Sequence, residues 1–140
     1  MRGLLSFILL LTAVFFVVGE FFGGWYLGLP PHTPVLVYKK THTAELSRRT
    51  TTAQQFTFGV EGSLSRGTVM IEASFEQLAS FQTGQAGRPE RVVFRAEFGA
   101  GQRITVNETL RQGQGVYRIR LIFNDATGTL RLTLPPAGTL

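Results

Sequence analysis

Arginine dominates the side chains of this chain that could do chemistry. Beyond residue 50 there are nine, at positions 66, 88, 91, 95, 103, 111, 118, 120 and 131, against six glutamates and Asp125. Six of them, Arg91, Arg95, Arg103, Arg118, Arg120 and Arg131, fall at the polar positions of segments that alternate polar with apolar residues. Alternation of that kind puts its polar members on the outer face of a strand, so neighbouring strands could align them as a surface for an anionic polymer. Glu72 and Glu76 belong to the same outer side. Cross-strand pairing of arginine with glutamate, worth roughly 0.2–1 kcal/mol a pair, is the competing expectation for that face. Nucleic acid is disfavoured as a partner. The aromatic residues fall at inward positions and leave no platform on which bases could stack.

Catalytic groups are scarce. The chain has no cysteine, which excludes a disulfide framework, a thiolate metal site, a cysteine nucleophile and a lipidated cysteine. Its two histidines, His32 and His42, have no acidic or hydroxyl partner at a motif-like spacing and read as polar residues of a connecting segment. Glu72 and Glu76 share one strand, whereas the carboxylates of a glycosidase flank a cleft from separate elements. Asp125, in the run NDATG, reads as a turn residue. The expectation is a non-enzymatic protein with no catalytic residue, no cofactor and no metal.

A different constellation lies near the N-terminus, where Gly19, Gly23, Gly24 and Gly28 recur at four-residue spacings around Glu20. Small residues at that spacing let two helices approach closely in lipid, and a buried acid beside them would seek a donor on the neighbour. These five residues are expected to form a helix contact with a protein partner or with a second copy.

The elements that must position these groups separate cleanly. Residues 4–29 carry a single charge, Glu20, and are stopped by Pro30 and Pro31. Such a run reaches the roughly 20 residues that a helix needs to cross a bilayer, and is expected to be an uncleaved signal anchor after a short tail, 1–3. A cleaved signal peptide ending at Gly19 is the competing reading. A threonine-rich stretch, 30–54, reads as a juxtamembrane linker with one short edge strand at 35–39. From residue 55 to 136 six alternating segments, separated by glycine-bearing turns, predict an antiparallel β-sandwich, with 137–140 left as a tail. Residues 78–81 read as the connection that crosses between its sheets.

A faint repeat runs through this domain. Phe56-Thr-Phe58-Gly-Val60 followed by Gly67-Thr-Val69-Met-Ile71 matches Tyr117-Arg-Ile119-Arg-Leu121 followed by Gly128-Thr-Leu130-Arg-Leu132, and predicts two equivalent hairpins turning at Gly-Thr pairs. The run from Gly115 to Leu121 resembles the penultimate strand of bacterial jelly-roll modules, a resemblance confined to one hairpin. Together the readings describe a single-pass cell-membrane protein holding an all-β, jelly-roll-like sandwich outside the cytoplasm. It acts either as a non-catalytic interaction or accessory subunit or as a binding domain for an anionic envelope polymer or polysaccharide through the arginine face.

Overall fold

The computed structural model describes residues 2–28, 34–50 and 55–135. One helix, α1 (Arg2–Phe21), precedes six strands: β1 (Trp25–Leu27), β2 (Pro34–Thr50), β3 (Phe56–Gln77), β4 (Arg88–Gly99), β5 (Arg103–Leu110) and β6 (Gly115–Thr133). With a mean hydropathy of 2.4 over Gly3–Phe21, α1 is long and apolar enough to cross a membrane. It ends well short of residue 29. Gly23 and Gly24 follow at φ 72° and 91°, the left-handed conformation that closes helices, and the Gly24 amide donates to the Gly19 carbonyl at 2.7 Å. The aromatic pair after them, expected as the last turn of the helix, instead forms β1 and pairs antiparallel with β2, Trp25 opposite Tyr38.

The expected linker is likewise mostly strand. β2 runs antiparallel to β6 almost throughout, Pro34 opposite Arg131 at one end and Thr50 opposite Gly115 at the other. Its burial alternates, but the half-buried side of its second part, His42, Ala44, Leu46 and Arg48, holds a single large apolar residue, because this strand lies at the rim of its layer. His42 packs against the Tyr26 ring at 4.4 Å. Residues 30–33, including His32, and residues 51–54 and 136–140, including the expected C-terminal tail, lie outside the described residues.

All six strands belong to one sheet that is folded over on itself. The first half of β3 (56–63) pairs with β5 and with the end of β6; its second half (68–77) pairs with β4 and with the start of β6. One layer therefore holds β5, the first half of β3, the end of β6, the start of β2, and β1. The other holds β4, the second half of β3, the start of β6 and the rest of β2. The buried rings meet between the layers: Phe56 stacks on Tyr117 at 4.8 Å, and Phe58 meets Phe94 edge-on at 5.7 Å. The core they enter includes Val60, Val69, Ile71, Ile104, Ile119 and Leu130, all essentially sealed from solvent. The fold is a β-sandwich, with six strands as expected but assembled from different segments.

The repeat proves to be the hinge of that folding. Its two copies are not hairpins: each is a single long strand, β3 and β6, and each Gly-Thr pair marks a bend within it. β3 and β6 lie antiparallel side by side, so an approximate twofold axis passes between the bends. A Cβ on Gly67 would fall 2.3 Å from the Asp125 carbonyl oxygen, and one on Gly128 would fall 2.3 Å from that of Ser63. Each glycine thus lets its strand touch the backbone of the other at equivalent points. β2 bends at the same level, at Lys39 (φ 44°), where the Lys39 amide donates to Thr127 Oγ1 at 2.9 Å and the Asp125 amide donates to Thr41 Oγ1 at 3.1 Å. The crossing between layers also occurs here, through residues 100–102, with the Gly101 amide on the Leu64 carbonyl at 3.0 Å. Residues 78–87 instead join two adjacent strands of one layer.

One further shift changes which side chains are inside. A bulge between the Ala73–Phe94 and Ser74–Val92 pairs reverses the alternation of β4, so Val93 packs on the core while Val92, expected inward, is 47% exposed.

Gly67→Ala and Gly128→Ala should each lower stability by at least about 2 kcal/mol, since left-handed or extended-positive backbone strain adds to a clash with an immovable carbonyl. Gly84→Ala, at φ 66° with nothing near its Cβ, should cost only about 1 kcal/mol. Urea unfolding of the detergent-solubilised chain, compared by midpoint, checks the order.

Candidate functional site

The six arginines singled out in the sequence do not converge. Arg95, Arg118 and Arg120 lie on the outer face of the layer containing β4, where the register builds a row of alternating charge across four strands: Arg95, Glu72, Arg120 and Glu45. Arg95 reaches Glu72 at 2.7 Å, and Arg120 reaches Glu45 at 2.7 Å, Glu90 at 2.7 Å and Glu72 at 3.3 Å. Arg118 pairs with Glu76 at 2.7 Å and Glu90 at 3.5 Å. Glu72 is only 7% exposed although its side chain starts on the solvent side, because the guanidiniums cover it. The carboxylates in this cluster outnumber the guanidiniums by one, so the face offers no surplus of positive charge. Arg91 turns toward the far end of the sandwich and donates to Gln112 at 2.6 Å. Arg103 and Arg131 are on the opposite layer, beside Glu61.

The residues expected on a helix face are also separated. Only Gly19 and Glu20 belong to α1; Gly23, Gly24 and Gly28 follow it. Their small size is used within the chain: Gly19 lies under the Trp25 indole, and Gly24 abuts the backbone of Tyr38 and Lys39. Glu20 accepts from the Tyr38 hydroxyl at 3.0 Å and pairs with Lys39.

What the fold does assemble is a polar pocket at the end of the sandwich opposite the bends. Gln55, just before β3, meets two connections there: 78–87 between β3 and β4, and 111–114 between β5 and β6. They enclose an open cavity of about 820 Å³ whose lining includes Gln55, Gln77, Gln85, Gln112, Gln114 and Arg111, with Ser80 and Thr83. That size lies in the range of small-ligand sites. A carboxamide both donates and accepts, so a wall of glutamines suits a ligand that carries many hydroxyls, each of which does the same. The shared groove continues past Leu78 and Gln114 to Phe81, a residue 103% exposed, more than any other large apolar residue among those described. An aromatic face held in water at the mouth of an amide-lined pocket is a surface for the apolar side of a flat ligand.

The pocket's floor is rigid. The buried Thr50 hydroxyl accepts from the Gly115 amide at 3.2 Å and lies 3.3 Å from the Gly113 carbonyl, while the Tyr117 hydroxyl donates to that carbonyl at 2.9 Å. Burial pushes the Tyr117 phenol's pKa up, which keeps it a donor. The Gln85 carbonyl accepts from the Ser80 amide at 3.0 Å, and its side-chain oxygen lies 3.4 Å from Gln77 Nε2, so the 78–87 loop is folded back on itself. Sequence patterning assigned no binding role to the pocket's glutamines. Glutamines scattered over three segments have no period; only their recurrence at or just beyond the ends of strands could have pointed to them.

No protein-family model matches the chain, and no curated protein matches it. Among solved structures it is similar to one described as "CBM4 structure and function", at 12% identity over 81% of this chain and 78% of that one, with a TM-score of 0.46. It is also similar to the CBM22-1–GH10 modules of Clostridium thermocellum endo-1,4-beta-D-xylanase 10B complexed with xylohexaose, at 12% identity and a TM-score of 0.44. There the match covers 83% of this chain and 26% of the other.

Two outcomes are expected of the charged face. Glu72→Gln should destabilise by about 1–3 kcal/mol, between the values for exposed and buried pairs, because it strips Arg95 and Arg120 of a shared partner. The Glu90 carboxyl is held below the usual carboxylate range, first by the Ser74 hydroxyl and then by Arg120. Its contribution to stability is therefore full above about pH 4.3 and is lost as pH falls through the lower value of the folded state. Thermal unfolding between pH 6 and pH 3 should show a shallower acid decline for Glu90→Gln than for the unaltered chain.

Proposed function

We propose that the chain is a single-pass, non-catalytic binding module that holds a β-sandwich outside the cytoplasm and takes polysaccharide at the glutamine-lined end. The observation that carries this reading is the coincidence, at one pole, of an amide-rich pocket, one guanidinium and the fully exposed Phe81 ring. The architecture favours it as well. α1 joins the sandwich at the bends, and β2 then runs from Lys40 to Thr50, about 33 Å of extended chain, to the opposite pole. The pocket therefore lies at the pole opposite the one where α1 is attached. Anionic polymers are less well suited, since Arg95, Arg118 and Arg120 are engaged by Glu45, Glu72, Glu76 and Glu90, while Arg91, Arg103 and Arg131 are scattered away from them.

Affinity electrophoresis of the detergent-solubilised chain through gels containing xylan, a neutral glucan or polygalacturonate tests the proposal. Retardation by a neutral polymer is expected, with apparent affinity falling at least tenfold in Phe81→Ala and in Gln85→Ala, and unchanged in Arg131→Ala on the other layer. Retardation by polygalacturonate alone, weakened by Arg131→Ala and not by Phe81→Ala, would move binding to the arginines. Passage through all three gels unretarded would remove polysaccharide as the ligand.

A further inference from the structure

α1 is not joined to the sandwich by a free tether. After Phe21 the chain turns through three residues into β1, and the first side chain of β1, Trp25, folds back onto the last turns of the helix. The Trp25 indole stacks on Phe15, with ring centroids 4.4 Å apart, and donates its Nε1–H to the Phe15 carbonyl at 2.8 Å. Only glycine at position 19 leaves room for it, since a Cβ there would lie 2.2 Å from the indole nitrogen. Beside it Tyr38 meets Phe16 edge-on at 5.2 Å, while the Tyr38 hydroxyl and the Lys39 ammonium both reach Glu20. Two aromatic contacts and one ion pair thus fix the helix against the bends of the sheet.

The surface around this junction is apolar and rimmed by polar tips. Phe21 and Phe22 are strongly exposed, and Leu27 and Leu36, opposite each other across β1 and β2, are half exposed. They extend the apolar surface of α1 onto the sheet itself. Tryptophan, tyrosine and lysine next to such a surface are the residue types that collect where acyl chains meet headgroups, because each keeps an apolar body in lipid and a polar tip in water.

We propose that the bend pole is a lipid-facing seat, in which Trp25, Tyr38, Lys39 and Phe22 lie among phospholipid headgroups and α1 and the sandwich form one rigid unit. The sandwich then rides directly on the bilayer. The part of α1 beyond the seat, residues 3–14, is about 18 Å long, short of a hydrocarbon core of roughly 30 Å. A short span is accommodated by local thinning, which brings Trp25 to the edge of the acyl region and no deeper.

Trp25 is the single tryptophan of the chain, so its fluorescence reports this position alone. In vesicles of phosphatidylcholine brominated at the 6,7 or the 11,12 positions, the shallower bromines should quench it at least twofold more than the deeper ones. Quenching no greater than in unbrominated vesicles would mean that the pole stands away from the membrane, and stronger quenching by the deeper bromines would mean that it is buried in acyl chains; either result overturns the seat. Gly19→Leu, which displaces the indole from the helix, should halve lipid quenching and double acrylamide quenching while the chain still floats with vesicles. If it leaves both unchanged, helix and sandwich are not fixed to one another in this way. The readout is independent of the polysaccharide pocket, whose gel retardation is measured at the other pole.

Discussion

The structure depends on the contact between β3 and β6 where both strands bend. Two long neighbouring strands can fold a single sheet into two layers only if their backbones touch at the crease, and at the crease a side chain has nowhere to go. Gly67 lies against the Asp125 carbonyl and Gly128 against that of Ser63, equivalent contacts on either side of an approximate twofold axis. The other strands are placed by this crease. β5 and β4 each add to one half of β3, β2 follows β6 around the bend, and the rings of Phe56 and Tyr117 are brought face to face between the layers.

A folded sheet of this kind has two unlike ends. At the crease the backbone is consumed by its own turns and by Thr41, Thr127 and Asp125, and it is there that the apolar helix is fastened. At the open end the strands stop, and their connections are free to vary without disturbing the crease; such loops on a rigid scaffold are the usual place for recognition. The hydroxyls of Thr50 and Tyr117 hold the floor of that end in place, so a ligand would meet a largely preformed surface.

The charged face shows how register converts composition into chemistry. Arginine and glutamate occupy alternate outward positions on four strands, and the pairing of Glu45 with Arg120, Glu72 with Arg120 and Glu72 with Arg95 turns them into a row of opposite charges. Shifting any of these strands by one residue would carry its charges to the core side.

The sequence by itself determined the class of the fold, because a period of two with glycine-bearing interruptions permits strands with one buried face and little else. It also determined the apolar helix, since an uncharged run through residue 19 has no other stable arrangement in water or lipid. It did not show where strands continue or stop. A Gly-Thr pair between alternating runs is equally a hairpin turn or a bend, and only the contact with a distant strand decides between them. Nor did it reveal β2 or β1: the inward side of β2 lies at a rim, where His42, Ala44 and Leu46 suffice, and β1 looks like helix until Gly23 and Gly24 turn the chain back. The pocket was illegible for the same reason. Gln55, Gln77, Gln85, Gln112 and Gln114 become neighbours only when separate loops are brought to one pole, and that proximity is a property of the fold's topology rather than of any local pattern.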